Sequence, residues 1–182
     1  YEQLLEHADL ALYRAKIAGR NQYAVGEKLI PLDTGNKGKT AVKLLMDETM
    51  EKREFEIYFQ PKISLHNYKI VGAEALVRWR RPDGIVVRPE HFLPFYEKNG
   101  KIVELDFYVF EQVAAFLEKT KRSGITPVPV SVNVSALHAE DPQTTRRYLE
   151  ILEKYKVDPG MLEMELKETD TIRYENIKDL LR

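Results

Sequence analysis

The chain has 182 residues, enough for one or two domains, and its 43% hydrophobic and 31% charged composition is that of a folded globular protein rather than a disordered one. A formal net charge of −1 gives no global basic field to recruit a nucleic-acid polymer or an anionic membrane, and no apolar run reaches the ~18 residues of a membrane span. The absence of cysteine excludes disulfides, thiolate metal sites and a cysteine nucleophile, and fits a reducing, cytoplasmic setting.

Residues 2–18 (EQLLEHADLALYRAKIA) place Leu5, Ala8, Leu12 and Ala15 at helical spacing, with Gly19 where a C-terminal cap belongs. A short strand from Gln22 to Val25 follows the Gly19-Arg20-Asn21 turn. One helix and one strand cannot enclose a core, so residues 1–26 read as the end of a domain whose body lies upstream. The first residue is Tyr1, and a preceding sensor or membrane segment is compatible with that reading. Residues 27–40 have linker composition, with glycines and lysines and no apolar period, and a helix over 41–53 leads into a second unit.

From there strands and helices alternate. FEIYFQPKI (55–63) and KIVGAEALVRW (69–79) predict two strands joined at His66-Asn67-Tyr68 as an antiparallel hairpin. Pro89 opens a short helix ending near Gly100, and a longer helix over 103–121 puts Leu105, Val109, Val113 and Leu117 on one face. Strand VPVSVNVS (128–135) follows, then a helix capped by Asp141 with Pro142 in its first position. After the Asp158-Pro159-Gly160 turn comes strand MLEMELK (161–167), and a last helix runs to Arg182. The alternation predicts an α/β domain with parallel strands. A closed (β/α)₈ barrel takes about 250 residues, so 41–182 is expected to hold an incomplete TIM-like barrel, the N-terminal part of a truncated domain.

Side chains alternate faces along a strand, so parity sorts them. Ala73, Ala75, Val77 and Trp79 oppose Glu74, Leu76 and Arg78; Val130, Val132 and Val134 oppose Ser131, Asn133 and Ser135; Leu162, Met164 and Leu166 oppose Glu163, Glu165 and Lys167. A strand in a helix-covered parallel sheet should be apolar on both faces. Here one face of each strand is polar, and it either meets solvent or converges on a polar site. Glu74, Asn133 and Glu165 are oxygen donors of the kind a hard cation takes. The four histidines, His7, His66, His91 and His138, show no metal-ligand spacing and read as surface or packing residues.

These residues also carry a resemblance. Gly72-Ala73-Glu74-Ala75-Leu76-Val77-Arg78-Trp79 resembles the signature of EAL domains, phosphodiesterases that open cyclic-di-GMP. The context is in the family's order and spacing: Tyr58-Phe59-Gln60-Pro61, Arg81-Pro82-Asp83-Gly84, Phe92-Leu93-Pro94, Ser131-Val132-Asn133-Val134-Ser135 and Leu162-Glu163-Met164-Glu165. The first segment, Ala8-Asp9-Leu10-Ala11-Leu12-Tyr13-Arg14-Ala15-Lys16 with Gly19-Arg20-Asn21, resembles the end of a GGDEF (diguanylate cyclase) domain. Asp9 and Lys16 read there as surface and capping residues. The resemblance implies a tandem GGDEF–EAL signalling protein that hydrolyses cyclic-di-GMP to linear pGpG with Mg²⁺ or Mn²⁺.

By that resemblance Glu74, Asn133 and Glu165 are metal ligands, Gln60 and Leu76 contact the nucleotide, and Arg78 meets a phosphate. The residues alone leave alternatives open: Gln60 as a strand-end cap before Pro61, and Arg78 as a partner of Glu163 or Glu165. Lys167 stands where active members usually carry threonine, and its ammonium is placed to weaken a metal site or to replace a cation. The family's aspartate pair, catalytic lysine and general base are expected beyond Arg182, so the 182-residue chain itself is expected to be inactive, and to self-associate as a homo-oligomer over its open sheet edge. The alternative function is a non-catalytic EAL module that binds cyclic-di-GMP or a partner protein.

Overall fold

The computed structural model describes residues 49–82, 84–140 and 143–166. The elements expected over 2–25, the linker and most of the 41–53 helix lie outside the described residues, as do Asp9, Lys16, Asp83, Asp141, Pro142, Lys167 and the helix expected at the C-terminal end. Among the described residues no helix is long and apolar enough to cross a membrane.

The described chain opens in a helical turn closed by Arg53, whose left-handed φ of 54° lets its N–H reach Met50 O at 3.0 Å while Glu54 N–H reaches Thr49 O at 3.1 Å. This is the Schellman closure more often made with glycine, and it feeds the chain straight into the first strand. In order there follow β1 (Phe55–Ile63), β2 (Ile70–Arg80), β3 (Val86–Val87), α1 (Pro89–Lys98), α2 (Ile102–Arg122), β4 (Val130–Val134), α3 (Thr144–Tyr155) and β5 (Leu162–Leu166). The chain divides into two compact units, one of Tyr1–Phe55 with Trp79–Lys101 and the other of Glu56–Arg78 with Ile102–Arg182.

In the first unit, Pro89 starts α1 because its fixed φ suits a first helical position and its missing N–H would be unbonded there anyway. The buried face of α1 carries Phe92 and Tyr96, which meet Phe55 at ring-centroid distances of 5.4 and 5.8 Å. Trp79 joins them edge-on to Phe92 and donates its indole N–H to Glu54 Oε2 at 2.9 Å. β3 pairs antiparallel with the end of β2, Val87 opposite Trp79.

In the second unit the sheet order is β1-β2-β4-β5, with β2–β4 and β4–β5 parallel. β1 and β2 are neighbours joined by a short loop that Ser64 N–H closes onto Lys69 O at 2.9 Å. A parallel pair would need a crossover of about a dozen residues, so the pair is the antiparallel hairpin expected. Pro61 inside β1 is tolerated because β1 has a sheet neighbour on one side only among the described strands. β4 begins two residues later than its sequence pattern reads, since Pro129 has no N–H for the ladder, although its carbonyl accepts from Ala73 N at 2.9 Å. That close approach requires Gly72: a Cβ there would stand 3.2 Å from Pro129 O. α3 starts at Thr144, with Gln143 rather than Asp141 in the capping position.

The valines of β4 are buried, and the face of α2 that carries Leu105, Val109, Val113 and Leu117 is buried as the periodicity predicts. The end of β4 is held by a buried polar network. Asp106 of α2 accepts from Ser135 N–H at 2.7 Å and from the His138 ring at 3.1 Å, and the Tyr148 hydroxyl of α3 lies 3.3 Å from the same ring. Burial pushes the Tyr148 phenol well above its ordinary range, so it stays a proton donor. As a carboxylate only accepts, the His138 Nε2–H donates to Asp106. Asp106→Ala leaves a backbone N–H and a fully buried imidazole unpaired. We expect it to lower unfolding free energy by about 2–3 kcal/mol in urea titrations. A loss within ~0.5 kcal/mol, the level of an ordinary surface change, would show that the network holds nothing.

Candidate functional site

The polar parity positions of β1, β2, β4 and β5 share one face of the sheet. Glu74 stands opposite Ser131 in the β2–β4 register, while Ser131 stands opposite Glu163 and Asn133 opposite Glu165 in the β4–β5 register. Asn133 Nδ2 donates to Glu74 Oε1 at 2.9 Å. The three expected metal ligands therefore lie on three adjacent strands, two in direct contact and the third in cross-strand register. Ser131, between them, is 0% exposed, so this part of the face is not the plain solvated surface that parity alone allowed. Its Oγ makes no well-formed hydrogen bond.

Lys62, which sequence reasoning passed over, completes the face. It belongs to β1, yet its ammonium reaches Glu165 Oε1 of β5 at 2.9 Å and Glu163 Oε2 at 3.7 Å. On a flat sheet those strands would stand roughly 14 Å apart, three strand spacings. The contact requires the sheet to curve about its polar face, as a barrel sheet does around its interior. The stem of Lys62 passes beside Gly72, where a Cβ would sit in ordinary van der Waals contact, 3.6 Å from Lys62 Cδ. The signal available in the sequence was parity, since Lys62 is two residues beyond Gln60 on the same strand face.

The other expected residues fall around this centre. Leu76 is half-buried on the same side of β2 as Glu74. Arg78 pairs with neither Glu163 nor Glu165. Its Nη1 donates to Val77 O at 2.9 Å and its guanidinium lies 5.8 Å from the centre of the Tyr58 ring. Lys62 takes the place that the sequence left open for Arg78. Gln60 is exposed, with the strand continuing past Pro61 to Ile63, so it does not cap a strand end. His138 is a packing residue, as expected of it, and among the described residues no three His, Cys, Asp or Glu side chains gather as a metal cluster. A cation here would need the Asn133 carbonyl oxygen together with Glu74 and Glu165. As hard oxygen donors these suit Mg²⁺ or Mn²⁺ rather than a thiophilic metal.

A family model described as the EAL domain matches residues 45–182. The chain is 29% identical over 173 residues to the bifunctional diguanylate cyclase/cyclic di-GMP phosphodiesterase MucR of Pseudomonas aeruginosa, covering 94% of this chain and 25% of that protein. It is 28% identical over 179 residues to the cyclic di-GMP phosphodiesterase PdeR of Escherichia coli, covering 96% of this chain and 26% of that protein. The chain thus spans about a quarter of these relatives' length. Among solved structures, the MucR phosphodiesterase in complex with c-di-GMP superposes with a TM-score of 0.68 at 25% identity, over 78% of this chain and 59% of that one.

The electrostatics of the pair are testable directly. The hydrogen bond from the Lys62 ammonium holds the Glu165 carboxyl below the ordinary 4.5 and raises Lys62 above 10.5. A depressed carboxylate stabilises the fold above its unfolded value, and that contribution is lost as pH falls through the lowered one; the raised lysine's contribution is lost only as pH rises past its own. Both side chains are at least 40% exposed, so water screens the pair and its effect on stability is small. The Glu165 carboxyl should titrate below 4.5 by carbon-13 NMR and move up toward that value in Lys62→Met. A midpoint that does not move would mean the two groups do not pair in solution.

Proposed function

The chain belongs to the EAL domain family, and on that premise we propose that the protein it comes from hydrolyses cyclic-di-GMP to linear pGpG. The observation that supports this most is the meeting of Glu74, Asn133 and Glu165 on one polar sheet face, with Glu74 and Asn133 already in contact. A phosphodiester resists attack because its oxygens are anionic. A Mg²⁺ or Mn²⁺ ion held by these three residues would neutralise that charge and lower the pKa of a bound water.

The chain's own residues bind and orient the substrate. Leu76 offers an apolar edge to a guanine, and Gln60 offers an amide that can both donate and accept. Arg78 is held by one backbone carbonyl, so giving up a single hydrogen bond frees its fork for phosphate oxygens. Residues 1–26 would then be the end of a GGDEF domain. The likeness to a bifunctional relative supports this, because at 94% of the chain it extends into the first forty residues.

A second reading, a domain that binds cyclic-di-GMP without turnover, draws on Lys167, which stands where active members usually carry threonine. Assays of the whole protein separate the two. Under the hydrolytic reading, Glu74→Ala and Glu165→Ala each lower turnover of cyclic-di-GMP by about a hundredfold or more, the loss expected when a metal ligand goes. Asp9→Ala leaves it unchanged, and Lys167→Thr raises activity or metal affinity. Tight binding of cyclic-di-GMP with no pGpG formed at saturating Mn²⁺ would decide for the binding reading.

A further inference from the structure

We propose that the Lys62 ammonium is the carboxylate site's own counter-ion, seated at Glu165 where it competes with a divalent cation. This rests on the reading of Glu165 as a metal ligand. The geometry is specific. Lys62 Nζ donates to Glu165 Oε1 at 2.9 Å and stands 3.7 Å from Glu163 Oε2, so one ammonium on β1 serves two carboxylates of β5 across the polar face. Its stem passes β2 beside Gly72. Beneath the carboxylates lies Ser131, buried and without a well-formed hydrogen bond of its own. Arg78 is engaged by Val77 O and the Tyr58 ring, and among the described residues it is Lys62 that stands on these carboxylates.

The ammonium occupies a lone pair of Glu165 Oε1 and repels a metal ion brought to contact distance, so the two compete for that carboxylate. Mg²⁺ and Mn²⁺ therefore bind more weakly while the Lys62 contact holds. The displaced ammonium stays tethered on the same face, where an anionic phosphate can take it up. Lys62 thus acts as a positioning residue that holds the carboxylates in the cation-free protein and sets the threshold for metal entry.

The test is Mn²⁺ binding to the full chain, read from the electron paramagnetic resonance of free Mn²⁺ at low salt, with far-UV circular dichroism confirming that each variant is folded. Lys62→Met should bind Mn²⁺ about threefold more tightly, the scale an exposed ion pair supports. Lys62→Gln should tighten it as well, and Lys62→Arg should stay near wild type. The gain should shrink at about 0.5 M salt, because exposed charges are screened there, whereas a purely structural effect of the substitution would persist. Unchanged or weaker binding in both neutral variants, with Glu165→Gln still losing Mn²⁺, overturns the role of Lys62 and leaves the metal reading standing. Equal Mn²⁺ binding by wild type and Glu165→Gln overturns the metal reading, and this one with it.

Discussion

The two-residue period of a β-strand governs the site. On β4 it turns Val130, Val132 and Val134 to one side, where they are buried, and Ser131 and Asn133 to the other. Register extends that division to the neighbours: Glu74 meets Ser131, and Glu165 meets Asn133. A slip of one residue in β4 would bury the amide and present a valine to the carboxylates. Burial of the valines is therefore what aims the polar residues. Each fully buried valine is worth roughly 1.5–3 kcal/mol over its exposed state, so the three together outweigh any single hydrogen bond on the polar face.

Parity aims side chains but does not hold the strand's end, and that task falls to α2. Most of its buried face is apolar. Asp106 breaks the pattern to capture Ser135 N–H, the first backbone donor after β4, and the ring of His138 in the turn beyond. Phe107 and Tyr148 pack around that ring, at centroid distances of 4.9 and 5.4 Å, and Arg147 covers the Phe107 ring at 3.9 Å. A carboxylate that accepts two hydrogen bonds is tolerable inside, where an unpaired one would not be. Asn133 thus sits two residues before a fixed point. The network supports the site without entering it.

Much of this was legible in the sequence because the responsible forces are local. The 3.6-residue spacing of Leu105, Val109, Val113 and Leu117 places a helix and its buried face, and strand parity separates Glu74, Asn133 and Glu165 from the core. Boundaries were read less well where backbone chemistry intervenes. Pro129 trims the start of β4, and α3 begins at Thr144 beyond the apparent Asp141-Pro142 signal. Asp106 and His138 escaped notice because nothing local links them: they lie 32 residues apart and meet only when α2 packs beside the end of β4.

The pairing of Lys62 with Glu165 lies furthest from sequence reading, across 103 residues and between the two outer strands of the sheet. Parity could place both on one face, and Arg78, also on that face, was the nearer cation in sequence to Glu163 and Glu165. Two features decide between them. Arg78 stands near the C-terminal end of β2, where the carbonyl of Val77 and the ring of Tyr58 satisfy its guanidinium locally. Lys62 passes beside Gly72, and sheet curvature carries Glu165 round to meet it. Curvature accumulates over every strand pair and is written in no single residue.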